Sequence, residues 1–109
     1  MAGEPITNSE LDSIADLDRT IHAPARLMIL AYLAAVDSVD FTFLMNQTGL
    51  TRGNLASHLS TLEEAGYIIV QKEFVDRKPH TLIALSAKGR QAIQDYREQM
   101  RKVIDDLLK

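Results

Sequence analysis

The stretch Phe41-Thr-Phe-Leu-Met-Asn-Gln-Thr-Gly-Leu-Thr51 constrains this chain more than any other. Phe41 to Gln47 reads as a short helix, and Gly49 is placed to take the left-handed conformation that ends one. Thr51 then offers its hydroxyl as a cap to the next helix, Arg52 to Ala65. Leu55, Leu59 and Leu62 share one face of that second helix, and Gly66 stops it. Two helices joined by so short a turn cross at a steep angle, the helix-turn-helix arrangement. Other elements must then bury the leucine face.

Those elements are legible on both sides. After a loose end over residues 1–8, Ser9 is placed to cap a helix with Leu11, Ile14, Leu17 and Ile21 at helical spacing. Pro24 suits the first turn of a second helix running to about Val36. That helix is apolar nearly all round, so it belongs at the centre of the domain. From Tyr67 the pattern changes: Tyr67 to Phe74 and Thr81 to Leu85 are β-branched and aromatic runs. Between them Val75 to His80 forms a polar tip, with Arg77 and Lys78 free of apolar neighbours. Ser86 caps a last helix reaching about Leu108, where Ile93, Tyr96, Met100, Val103 and Leu107 lie alternately three and four residues apart. That spacing is a coiled-coil seam. The expected fold is mainly α with one small β-hairpin (α+β). It is one domain over residues 9–109: helix-turn-helix about 40–65, hairpin about 67–85, closing helix about 86–108.

A chain of 109 residues holds one core and is too short for two. The longest apolar run, Leu27 to Val36, falls short of the roughly 18 residues that cross a membrane. The start, Met1 to Pro5, lacks the basic-then-apolar profile of a secretory signal. With no cysteine there is no disulfide framework, thiolate metal site or thiol switch, and the cytoplasm is the expected compartment. His22, His58 and His80 fall one to an element, so no metal site is expected. A Gly-rich phosphate loop, a nucleophile elbow and a His–carboxylate pair on one element are all missing, so neither enzyme nor cofactor is expected. The net charge of −3 speaks mildly against nucleic acid, but its placement matters more. Seven acids face two bases up to Asp40, and the remainder is neutral to basic.

The run Thr48-Gly-Leu-Thr-Arg-Gly-Asn-Leu-Ala-Ser-His-Leu-Ser-Thr-Leu-Glu-Glu-Ala-Gly-Tyr67, the strand pair after it and Leu85-Ser-Ala-Lys-Gly-Arg90 together carry a resemblance. In that order they resemble the winged-helix transcription regulators of the MarR and ArsR kind, above all short single-domain bacterial and archaeal members. The resemblance covers roughly Leu17 to the end. It implies a DNA-binding regulator, with Arg52 to Ala65 as recognition helix and Asp76 to His80 as wing.

The residues themselves agree. With the three leucines inward, a helical wheel turns Gly53, Ser57 and Ser60 outward, with Asn54 and Thr61 beside them. This face is small, polar and nearly uncharged, as entry into a major groove requires. Thr51 and Gly53 sit at a helix N-terminus that favours a phosphate. Asn54 has the geometry to bond adenine bidentately, and Arg52 to reach guanine or phosphate. Ser57 departs from the family pattern, since many relatives carry a base there. His58 reads equally as a phosphate contact and as a half-buried packing residue. Arg77 and Lys78 at the tip suit a backbone or minor-groove contact, and His80 follows them.

The seam on the last helix calls for a partner, and the first helix offers a second stripe with Leu11 and Ile14. A homodimer through these helices is therefore expected, using Leu11, Ile14, Ile93, Tyr96, Met100, Val103 and Leu107. Nothing in the sequence identifies a small-molecule effector. The alternative function is a winged-helix module that binds protein and not DNA.

Overall fold

The computed structural model describes residues 8–108, with side chains from residue 11 onward. The elements are α1 (Asn8–Ala15), α2 (Pro24–Ala34), β1 (Val39–Asp40), α3 (Phe41–Thr48), α4 (Arg52–Glu64), β2 (Ile68–Val75), β3 (Lys78–Leu85) and α5 (Ala87–Leu107). The fold is the expected one: mainly helical, with one small antiparallel sheet in the order β1-β3-β2. Of the loose end expected over residues 1–8, all but Asn8 lies outside the described residues. Asn8 already opens α1, so Ser9 stands in its first turn and not at its cap.

α2 occupies the centre as its all-round apolarity predicts: Ile29, Leu30 and Leu33 are buried. Around it pack Leu44 of α3, Leu55, Leu59 and Leu62 of α4, and Val39, Ile68 and Ile83 of the sheet. Full burial of each leucine stabilises by roughly 1.5–3 kcal/mol.

Three features differ from expectation. The first helix stops at Ala15 instead of carrying on to Ile21. Asp18 is the reason: its Oδ1 accepts from the backbone N–H of Thr20 (2.9 Å) and of Ile21 (3.2 Å). A short acidic side chain that binds nearby backbone competes with helix, and here it wins. Ile21 is still buried, but from a turn. The second difference is β1, two residues that pair Val39 with Ile83 and Asp40 with Leu82; a strand that short has no periodicity to read. Third, β3 starts at Lys78, so the hairpin is longer than expected and its turn tighter. Asp76 and Arg77 alone make the turn, at φ 52° and 66°. A two-residue hairpin of the favoured twist needs positive φ at both places. Without glycine each costs roughly 1–2 kcal/mol.

α5 begins directly on the entrance to the hairpin. The Ser86 hydroxyl donates to the Gly66 carbonyl at 2.6 Å and accepts from the Gly89 N–H at 2.9 Å. The Ser86 N–H donates to the Tyr67 carbonyl at 3.0 Å. Gly89 allows this approach, because a Cβ there would stand 2.0 Å from that same carbonyl oxygen. Further along, α1 and the turn after it run back beside α5. Ser13 bonds Asp106 (3.4 Å), the Asp18 N–H donates to Gln99 (3.2 Å), and His22 Nδ1 lies 2.8 Å from the Tyr96 hydroxyl. The molecule is elongated, 67 × 26 × 21 Å, with a radius of gyration of 17.3 Å. A compact domain of this length has about 13 Å.

Candidate nucleic-acid interface

The helix-turn-helix is α3 and α4. Asp40 caps α3, its Oδ1 accepting from the N–H of Thr42 (2.9 Å) and of Phe43 (3.3 Å). Gly49 ends α3 at φ 71°, and Thr51 Oγ1 accepts from the Asn54 N–H at 3.1 Å to start α4. Asn54 therefore has its backbone satisfied while its side chain stays exposed. Thr51, Arg52, Gly53, Ser57 and Ser60 are exposed beside it, and no acid lies in the first turn. Arg52 holds its guanidinium 5.3 Å from the centre of the Phe41 ring, a cation–π contact that fixes a long side chain at the mouth of the helix.

His58 is half-buried, with its Nδ1 3.2 Å from Nη1 of Arg26. A guanidinium nitrogen only donates, so Nδ1 is the accepting atom of this contact. Arg26 also donates to the carbonyls of Thr20 (2.5 Å) and Arg19 (3.3 Å), which ties the 16–23 turn to α4. His80 is also engaged: its Nδ1 stands 3.0 Å from Asp40 Oδ2. Hydrogen bonding from His80 above all holds the Asp40 carboxyl below its ordinary value. One aspartate thus caps α3 and tethers the hairpin. The Tyr67 hydroxyl donates to Asp18 Oδ2 at 2.5 Å, which with burial pushes the Tyr67 pKa up to about 12.

Arg77 and Lys78 are exposed at the hairpin end. The expectation that nothing apolar stands near them is wrong: Phe74 is 77% exposed and Val75 44%. Between the hairpin and α4 runs a groove of about 780 Å³ whose walls include Arg52, Ser60, Lys72, Pro79, His80 and Thr81. Lys72 and Thr81 did not stand out in sequence. They face each other across β2 and β3, and only the strand register turns both toward α4. Among the described residues no three His, Asp or Glu side chains gather around a common metal position.

On the far side, the expected dimer surface divides in two. Tyr96 and Val103 are buried within their own chain, 9% and 7% exposed. α1 packs along α5 on this side and His22 Nδ1 stands 2.8 Å from the Tyr96 hydroxyl, so both side chains are already largely covered within the chain. Ile93 and Met100 are half-buried, while Leu11, Ile14 and Leu107 remain exposed together with Ile104 and Leu108.

With this geometry established, likeness to known proteins is informative. Residues 25–104 match the family model described as a winged helix DNA-binding domain. The chain belongs to the winged-helix DNA-binding family. An uncharacterized protein of Methanocaldococcus jannaschii is 33% identical over 78 residues, which span 72% of this chain and 85% of that one. A transcriptional regulator homologue from Pyrococcus horikoshii OT3 superposes with a TM-score of 0.80 at 29% identity, over 91% of this chain and 97% of its own. The transcriptional repressor CouR, solved on a 23-mer DNA duplex, superposes at 0.67 and 23% identity, over 92% of this chain and 72% of its own. The winged-helix domain described here thus shares its fold with these regulators. No helix among the described residues is long and apolar enough to cross a membrane.

Proposed function

We propose that this winged-helix domain is a sequence-specific regulator that binds duplex DNA as a homodimer. The observation that carries the reading is the placement of α4 beside the hairpin. An exposed helix start that carries Arg52 and no acid, and an arm bearing Lys72, Arg77 and Lys78, lie on either side of one groove. With α4 in a major groove and the hairpin in the neighbouring minor groove, one phosphate strand has to cross between them. Arg52 and Lys72 line that crossing with the hydroxyls of Thr42, Ser60 and Thr81, and the acids Asp40 and Glu63 stand in the same groove, Asp40 already engaged by His80 and the start of α3. Asn54 and Ser57 then face base edges, and the helix N-terminus at Thr51 and Gly53 faces phosphate.

The dimer reading rests on the elongated shape and on the apolar residues left outside it. Leu11, Ile14, Ile104 and Leu107 offer a surface that a second copy covers by symmetry. Two copies would present two α4 helices to successive major grooves, and the site would be a near-palindrome with half-sites about 10 base pairs apart. Selection of bound sequences from a random duplex pool, followed by salt titration of the winner, tests this. The expected outcome is an enriched inverted repeat whose binding falls steeply with salt. No duplex preference even at low salt would refute it and leave the protein-binding module, which the net charge of −3 favours.

A further inference from the structure

The hairpin ends in an apolar surface that the fold does not use. Phe74 is 77% exposed although it lies within an eight-residue strand. The register pairs Val70 with Ile83, Lys72 with Thr81 and Phe74 with Pro79. Strand side chains alternate between faces, so Phe74 and Pro79 share the face on which Ile83 meets the core and Lys72 lines the groove against α4. At roughly 3.3 Å per residue, Phe74 stands about 13 Å beyond Val70. It overhangs the groove and does not close it. β1 reaches β3 only at Leu82 and Ile83, so this outer part is a two-stranded arm.

We propose that Phe74, backed by Pro79, is an apolar wedge that enters the minor groove of bound duplex DNA beside the guanidinium of Arg77. The proposal rests on the DNA-binding reading above. The ring lies on the α4 side of the arm, so a duplex resting on α4 meets it. Around it Lys72, Arg77 and Lys78 are exposed cations that suit a polyanion. A minor groove about 6 Å wide admits side chains but not a β-ribbon, so whatever enters comes from the residues nearest the turn. The turn is only Asp76 and Arg77, with Val75 and Lys78 the pair beside it and Phe74 and Pro79 the next, so Phe74 is the large apolar side chain nearest the tip. Apolar wedges of this kind part a base step and bend the duplex. They add contact that a cationic tip alone cannot supply.

The test compares the full chain with Phe74→Ala and Phe74→Leu on the duplex won by selection, labelled at both ends. Thermal unfolding of both variants should match the parent, because the ring contributes little to the core. Anisotropy should show Phe74→Ala binding about tenfold more weakly, and end-to-end energy transfer should show a straighter duplex. Phe74→Leu, still apolar, should keep most of both. Equal affinity and equal bend for parent and Phe74→Ala overturn the wedge and leave DNA binding standing. A parent that binds no duplex overturns the proposal and the reading beneath it together. Altered sedimentation of Phe74→Ala without DNA assigns the ring to a contact between chains, and that also overturns the wedge.

Discussion

Replacing Gly89 with alanine should damage this fold severely, even though alanine is the better helix former. At an open helical position the exchange gains about 1 kcal/mol. At residue 89 the new Cβ would sit 2.0 Å from the Tyr67 carbonyl oxygen, 2.8 Å from its carbon and 2.9 Å from Leu85 Cδ1. Two of these are backbone atoms, so no side chain can swing aside, and α5 has to move off the hairpin. That movement stretches the bonds from the Ser86 N–H to Tyr67 and from the Ser86 hydroxyl to Gly66. Each is worth about 1 kcal/mol, and repacking an overfilled site costs a further 1–3. After the propensity gain, the net loss is about 2–4 kcal/mol. For a domain of this size that lowers Tm on the order of 10–20 °C. Gly53 supplies the control, since a Cβ there meets nothing within 4 Å. Gly53→Ala should raise stability by up to about 1 kcal/mol. Urea and thermal unfolding followed by circular dichroism, at one protein concentration, read both. Equal stabilities for Gly89→Ala and the parent would show that α5 does not approach the hairpin as described.

Asn54→Ala should cost about 1–3 kcal/mol on the preferred duplex and almost nothing on random duplex, because its side chain is exposed and uncharged; anisotropy on the two duplexes separates these. Removing Arg77 and Lys78 together should weaken both duplexes and reduce the slope of log K against log salt by about two per protomer. A slope that stays put would take the hairpin tip off the phosphates. Aspartate at both Ile104 and Leu107, which are 45% and 67% exposed, should give a folded monomer by sedimentation; a surviving dimer would place the interface elsewhere. Asp40→Ala should destabilise by about 1 kcal/mol at neutral pH through loss of the α3 cap. The folded Asp40 pKa is depressed, so its contribution is complete above the unfolded value and disappears as pH falls through the folded one. Parent and variant should therefore converge below the ordinary carboxylate range, and a constant gap at every pH would contradict the cap.

What the sequence determined by itself was everything that depends on neighbours in the chain. The turn at Gly49, the cap at Thr51, the leucine face of α4 and the central place of α2 follow from local geometry and hydrophobic spacing, and the structure has them where the residues put them. The outward set Gly53, Asn54, Ser57 and Ser60 was legible for the same reason. Four matters needed the tertiary structure. The Tyr67 hydroxyl that bonds the other carboxylate oxygen of Asp18 comes from the bend before β2, 49 residues away. Burial of Tyr96 and Val103 was settled by α1 folding back along α5; a seam at helical spacing is the same sequence whether its cover is its own chain or another copy. The bond of His80 to Asp40 joins residues forty apart. Finally, the register of β2 on β3 put Lys72 and Phe74 on the groove side of the arm. Alternation along a strand says which residues share a face, but only the partner strand and the packed helix decide which face looks toward α4.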